Sequence, residues 1–170
     1  YYSVMCGIVG GIINKDITPL LLKGLQCLEY RGYDSSGLVV LSKTNGLIRE
    51  RSFGKVNNLA EKINTRKAKI KGKIGIAHTR WATHGEPSTD NAHPHSSDNS
   101  ISLVHNGIIE NYFDLKISLV KQGYIFTSET DTEVIVHEIH FYLQSSNSFL
   151  EAVQKTIKKI EGSYGLGIIS

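Results

Sequence analysis

The sequence predicts an α+β protein whose strands pair antiparallel. Helix-spaced and strand-length apolar runs are mixed without a regular βαβ alternation, which argues against a doubly wound sheet. Asn45-Gly46 between two apolar runs is a hairpin signal, and a hairpin joins antiparallel neighbours. The chain has 170 residues, 40% of them apolar and 21% charged, which suits one soluble domain with a sizeable core.

Taken in order, residues 6–13 read as a buried strand. Thr18 and Pro19 then open a helix, as N-cap and first helical residue, with Leu21, Leu22, Leu25 and Leu28 at helical spacing and Gly32 closing it. Cys27 falls in this helix and reads as a packing residue. Residues 37–41 and 47–53 flank the hairpin signal as strands. Residues 58–64 form a short helix and 73–77 a short strand. Residues 78–99 lack periodicity, yet hold four of the seven histidines, two of the three prolines and the only tryptophan. An ordered loop of that composition points to function. A strand at 100–104 runs into His105-Asn106-Gly107. Residues 111–122 follow as an amphipathic helix on Leu115 and Leu119, ended by Gly123. Tyr124-Ile125-Phe126 reads as a short strand, and Thr130 or Asp131 caps a helix running to Leu143. After a polar break at 145–148, Phe149, Val153, Ile157 and Ile160 mark another helix, closed by Gly162. The last strand, 164–169, is apolar to the end, so the expectation is a domain cut short there, with an exposed apolar edge. Tyr1-Tyr2-Ser3-Val4 reads as an added tail and Met5 as an initiator, which leaves 6–170 as the domain.

Net charge is +3. The basic run Arg66-Lys67-Ala68-Lys69-Ile70-Lys71-Gly72-Lys73 carries no interleaved aromatics, so it reads as a solvated loop with no nucleic-acid partner. No apolar run approaches the ~18 residues of a membrane span, and no signal peptide is evident. Cys6 and Cys27 make no disulfide framework, which suits a reducing, cytoplasmic setting. His78, His84, His93, His95 and His105 lie close in sequence but lack the ligand spacing of a structural zinc site, so no metal is expected.

The residue with the most chemistry is Cys6. Removal of Met5 would make it the first residue, carrying a thiol and an α-amine of reference pKa about 7.7–8.0. A free amine can serve as the base for its own side chain. On position alone, a small buried hydrophobe at a strand start is the plainer reading.

Four further blocks accompany Cys6-Gly7-Ile8-Val9-Gly10. They are Glu29-Tyr30-Arg31-Gly32-Tyr33-Asp34-Ser35, the run from His78 through Thr79-Arg80-Trp81-Ala82-Thr83-His84 to Gly85, Val104-His105-Asn106-Gly107-Ile108-Ile109-Glu110-Asn111, and Ser128-Glu129-Thr130-Asp131-Thr132-Glu133. Together, in order from Cys6 to Ser170, they resemble the glutaminase domain of class II glutamine amidotransferases, which are N-terminal-nucleophile hydrolases. Within that family the second and third blocks are similar to the branch whose ammonia converts fructose 6-phosphate to glucosamine 6-phosphate.

The resemblance implies a four-layer αββα sandwich, here incomplete at its C-terminal end. It implies hydrolysis of L-glutamine through a Cys6 thioester, with no cofactor. It carries the oxyanion-hole role onto Asn106 and Gly107, where an ordinary Asn-Gly turn is the plainer reading. Glutamine's α-carboxylate needs a cation and its α-ammonium an anion, and Arg80 and Asp131 suit them; a surface ion pair and an N-cap are the plainer readings. Thr83 and His84 belong to the family's closing loop. Trp81, otherwise a core aromatic, belongs to its gate toward an ammonia channel, and Arg31 and Gly32 line the nucleophile side. Fructose 6-phosphate would engage only a separate isomerase domain that this chain lacks, and the longer enzyme would be a homo-oligomer. A cysteine amidohydrolase for another amide, a papain-like Cys–His–Asn site and a non-catalytic glutamine-binding module are the competing readings.

Overall fold

The computed structural model of the chain describes residues 6–32, 34–81 and 85–170. Strands β1 (Gly7–Ile12), β2 (Ser35–Ser42), β3 (Gly46–Phe53) and β4 (Ile74–Arg80) make one sheet in the order β1-β4-β2-β3. Strands β5 (His95–Ser97), β6 (Ile101–Ile109) and β7 (Gly162–Ile169) make a second, in sequence order. Every pairing is antiparallel. The β2–β3 hairpin turns at Gly46, whose φ of 64° is one that glycine adopts without strain.

Helices α1 (Thr18–Leu28) and α2 (Val56–Thr65) cover the outer face of the first sheet, burying Leu21, Leu25, Leu59 and Ile63 on Leu38, Val40 and Ala77. Helices α3 (Tyr112–Lys121), α4 (Glu133–Leu143) and α5 (Phe149–Ile157) cover the outer face of the second, where Leu115, Leu119, Ile135, Ile139 and Ala152 meet Ile101, Leu103 and Ile109. The inner faces meet each other through Val39, Ile76, Val104 and Ile169, with Ile8 packed against them. The result is an αββα sandwich of four layers.

Strand side chains alternate between faces. With Ile8, Ile76 and Val104 facing inward, the same period places Cys6, His78, Arg80 and Asn106 in the inner layer too, at one end of its apolar part. A Cβ on Gly37, also inward-facing, would collide with the His93 carbonyl, so the histidine-rich loop lies directly on β2. That loop is held by side chains in place of strand ladders. Arg51 Nη1 donates to the carbonyls of Asp90 at 2.8 Å and Ala92 at 2.9 Å, and Arg49 Nη1 donates to that of Pro94 at 3.2 Å.

Several boundaries differ from the sequence expectation. β4 runs on to Arg80 and β6 to Ile109, because both are paired along their full length; β4 lies between β1 and β2. Asn106-Gly107 is therefore inside a strand and is not a turn. Thr18 does not cap α1: the Asp16 carboxylate accepts from the Thr18 N–H at 3.2 Å and its hydroxyl at 3.0 Å. Tyr124-Ile125-Phe126 joins no sheet; Tyr124 bonds His140 at 2.7 Å and Lys116 lies over the Phe126 ring. Cys27 is exposed on α1 and contributes nothing to the core. α5 ends at Ile157, and Gly162 opens β7, which pairs with β6 alone among the described residues. Residues 1–5 and the closing-loop residues Thr83 and His84 lie outside the described residues.

His78, His93, His95 and His105 are all buried. Burial lowers each of their pKa values from 6.5: that of His78 to about 4, of His95 to about 3, and of His93 well below its ordinary value. In the unfolded chain they titrate normally. Between about pH 6.5 and pH 4 the unfolded state therefore binds more protons, and stability falls as pH falls, by up to about 1.4 kcal/mol per pH unit for each histidine. Glu133 acts in the same direction in the lower part of this window: although burial opposes its charge, the nearby His137 ring and hydrogen bonds from Thr127 and Ser128 hold its carboxyl far below the usual range, so below about pH 5 the unfolded state binds a further proton. Urea midpoints across this range should drop steeply toward acid; a flat profile would contradict the buried neutral cluster.

Candidate active site

Cys6 stands just before β1. Its sulfur accepts the Trp81 N–H at 3.3 Å and its thiol faces the Trp81 carbonyl at 3.6 Å. Burial pushes the thiol pKa up, opposed by the Trp81 backbone and the positive charge of Arg80. The resting group is thus a thiol, and nucleophilic attack requires a base to take its proton. Among the described residues the sulfur's hydrogen-bond partners are backbone atoms and no imidazole, which gives a papain-like pair no support.

The β1 end is tied to β6 through the Asn106 side chain, whose Nδ2 donates to the Cys6 carbonyl at 3.2 Å. Its Oδ1 lies 2.9 Å from His78 Nε2, which also meets the His105 carbonyl at 3.0 Å. Gly107 follows with φ 134°, and a Cβ there would collide with the Ser163 carbonyl of β7. Only glycine suits that place, and its backbone forms part of the cavity wall.

Arg80 ends β4, buried except for 4% of its surface, so it is no surface ion-pair residue. Its Nη2 donates to the Gly85 carbonyl at 3.2 Å. Burial lowers its pKa, countered by Cys6, Asp34, Asp131 and Glu129. Asp131 is buried as well and does not cap α4: its Oδ2 accepts the Ile109 N–H at 2.8 Å, which locks it to β6. The segment before it is folded around Glu133, whose carboxylate accepts from Ser128 Oγ at 2.7 Å and from the Ser128 N–H at 2.8 Å. Asn91 pins the same segment from the other side, accepting the Glu129 N–H at 2.9 Å.

Cys6, Arg80, Trp81, Gly107 and Asp131 line one small, partly open cavity, together with His93, His105, Thr130 and Thr132. Of the residues singled out from the sequence, the structure thus brings five onto the cavity and holds Asn106 against Cys6. Trp81 is 38% exposed and sits at the rim, not in the core. Gly32, which follows the 3-10 turn Glu29–Arg31, lies against Trp81, whose Cβ is 2.8 Å from where a Gly32 Cβ would be; neither Arg31 nor Gly32 is among the residues lining the cavity. The roles of His78, Thr132 and Glu133 were not legible in sequence. His105 Nδ1 meets Thr132 Oγ1 at 2.9 Å, and the His105 N–H donates to His93 Nδ1 at 3.3 Å. Their presence inside the quoted blocks was the available signal. Among the described residues no group of three or more His, Cys, Asp or Glu converges as metal ligands.

Known proteins resemble this chain along its whole length. Glutamine–fructose-6-phosphate aminotransferase [isomerizing] of Acinetobacter baylyi is 52% identical over 165 residues, 97% of this chain and 26% of that protein. The enzyme of the same name from Aliivibrio fischeri is 55% identical over 161 residues, 95% of this chain and 26% of the relative. The chain thus spans about a quarter of the length of these relatives. Among solved structures, a glutamine phosphoribosylpyrophosphate amidotransferase from B. subtilis, complexed with ADP and GMP, superposes with a TM-score of 0.77 at 28% identity, over 98% of this chain and 35% of that one. The profile of a glutamine amidotransferase domain matches residues 78–170, more than half of the sequence and the part that holds Arg80, Asn106, Gly107 and Asp131. The chain belongs to the glutamine amidotransferase domain family.

Proposed function

We propose that the chain hydrolyses the side-chain amide of L-glutamine to glutamate and ammonia through a thioester on Cys6, without a cofactor. The observation that carries this reading is the convergence of a thiol, a buried guanidinium and a buried carboxylate on one cavity.

In this mechanism the Cys6 sulfur attacks the amide carbon, and its proton passes to the Cys6 α-amine, directly or through a water. The amide oxygen becomes an oxyanion, bound by an Asn106 Nδ2–H and the Gly107 N–H. The intermediate collapses, the C–N bond breaks, and nitrogen leaves as ammonia with the proton held by the amine. Water then cleaves the thioester to glutamate and restores the thiol. Arg80 pairs with the α-carboxylate through its planar fork, and Asp131 with the α-ammonium. The family resemblance assigns a closing loop to Thr83 and His84, which lie outside the described residues, and Trp81, with Gly32 against it, would form the exit side. In the longer protein, ammonia would pass to an isomerase domain that converts fructose 6-phosphate to glucosamine 6-phosphate, as the names of the relatives suggest. That longer enzyme would act in the cytoplasm as a homo-oligomer. Among the described residues no helix is long and apolar enough to cross a membrane.

In the sequence as it stands Met5 precedes Cys6, so the Cys6 nitrogen is a peptide amide without an available lone pair. Trimming residues 1–5 should therefore raise ammonia release from near zero to steady turnover. Equal release from tailed and trimmed chains, with each N-terminus verified by mass, would rule out the α-amine as base. Arg80→Ala should weaken glutamine binding by roughly 2–5 kcal/mol, as loss of one partner from a desolvated charge pair does; calorimetry showing unchanged affinity would remove Arg80 from the carboxylate site. Asn106→Ala should lower kcat by about 10²- to 10³-fold at nearly constant KM. A change confined to KM would make Asn106 a binding residue.

A further inference from the structure

The Asn106 amide has two ends of almost equal shape, and only one of them can stabilise an oxyanion. The nitrogen end donates hydrogen bonds. The oxygen end would set a lone pair against the negative charge. Something must decide which end faces Cys6.

We propose that His78 is a positioning residue that makes this choice, holding the Asn106 oxygen away from Cys6 and so turning its nitrogen toward the nucleophile. The inference rests on the reading of Asn106 as an oxyanion donor. It follows from a chain of donors and acceptors that permits one assignment. His78 Nε2 lies 3.0 Å from the His105 main-chain carbonyl, which can only accept. Nε2 must therefore carry the proton. The atom of Asn106 that sits 2.9 Å from the same Nε2 must also accept, so it is Oδ1. Nδ2 is then on the Cys6 side, where one of its hydrogens bonds the Cys6 carbonyl at 3.2 Å. The second hydrogen is the one available to an oxyanion.

The surroundings hold this arrangement. His78 is fully buried in the inner layer, on a strand paired on both sides, so the ring cannot swing away. Its ring packs against that of His93 at 4.2 Å between centroids. Burial keeps it neutral at physiological pH, with the nearby Arg80 charge acting in the same direction. A neutral ring has one proton, already required at Nε2. Nδ1 is buried without a hydrogen-bond partner among the described residues, so nothing there draws the proton to the other nitrogen.

The test uses the chain trimmed to begin at Cys6. In the unsubstituted protein, ¹⁵N NMR of the His78 ring should show the Nε2–H tautomer near neutral pH; an Nδ1–H tautomer or an imidazolium overturns the proposal without reference to activity. His78→Phe keeps a ring but removes the donor, and should lower kcat by roughly 10- to 10²-fold with little change in KM, as when a catalytic group is misplaced by about an ångström. His78→Gln carries an amide nitrogen close to the Nε2 position and should recover most of that loss. Thermal melts establish that both variants fold. Because His78 acts through Asn106, His78→Phe should cost less than about threefold more when added to Asn106→Ala. If His78→Phe folds and keeps full kcat while Asn106→Ala does not, or if the two losses multiply, His78 is only a packing residue. If Asn106→Ala itself keeps kcat, the oxyanion reading fails and this inference falls with it.

Discussion

The site depends on one constraint, the two-residue alternation of strands whose inner faces are pressed together. Ile8, Ile76 and Val104 fix which face of β1, β4 and β6 is inward. Continuing the same alternation delivers Cys6, His78, Arg80 and Asn106 to the end of that layer, where apolar packing gives way to chemistry. A one-residue slip in any of these strands would put the reacting side chains under the helices. The apolar end of the layer therefore holds the register that the polar end uses, and stability and site geometry are two aspects of one packing.

Burial shapes the charges at the polar end. It raises the Cys6 thiol pKa and lowers those of the histidines, so the resting site is a neutral thiol among neutral imidazoles. The lasting charges there are the Arg80 guanidinium and the Asp131 carboxylate, the latter anchored by the Ile109 N–H. Such anchoring fixes the carboxylate before a ligand arrives, so little reorganisation is left to binding.

Much of this was legible in the sequence, for identifiable reasons. Periodicity found the main helices and strands, and Asn45-Gly46 located the hairpin, since both signals are local. Cys6, Arg80, Gly107 and Asp131 were named through motif resemblance and share one cavity. Periodicity could not find what depends on distant partners. β4 continues to Arg80 because β1 and β2 pair with it, although its last residues are polar. Tyr124–Phe126 has strand-like composition but no neighbouring edge to join. Thr18 looks like a cap until Asp16 takes that place. His78 illustrates the limit most clearly, because nothing in a histidine's sequence position says which acceptors will crowd one of its nitrogens.

Gly107 is both a strand residue of β6 and a wall of the cavity, with the Ser163 carbonyl where a side chain would begin. Any substitution there must push β7 away before it alters the chemistry. In a mutational scan, position 107 would register as intolerant whether or not its N–H touches a reacting atom. Intolerance is thus an ambiguous witness at the backbone donor proposed for the oxyanion. The contribution of that donor can be read only from a change that spares the Cα, such as replacing the amide linkage at 107 with an ester, which deletes the N–H and leaves the close contact with β7 intact.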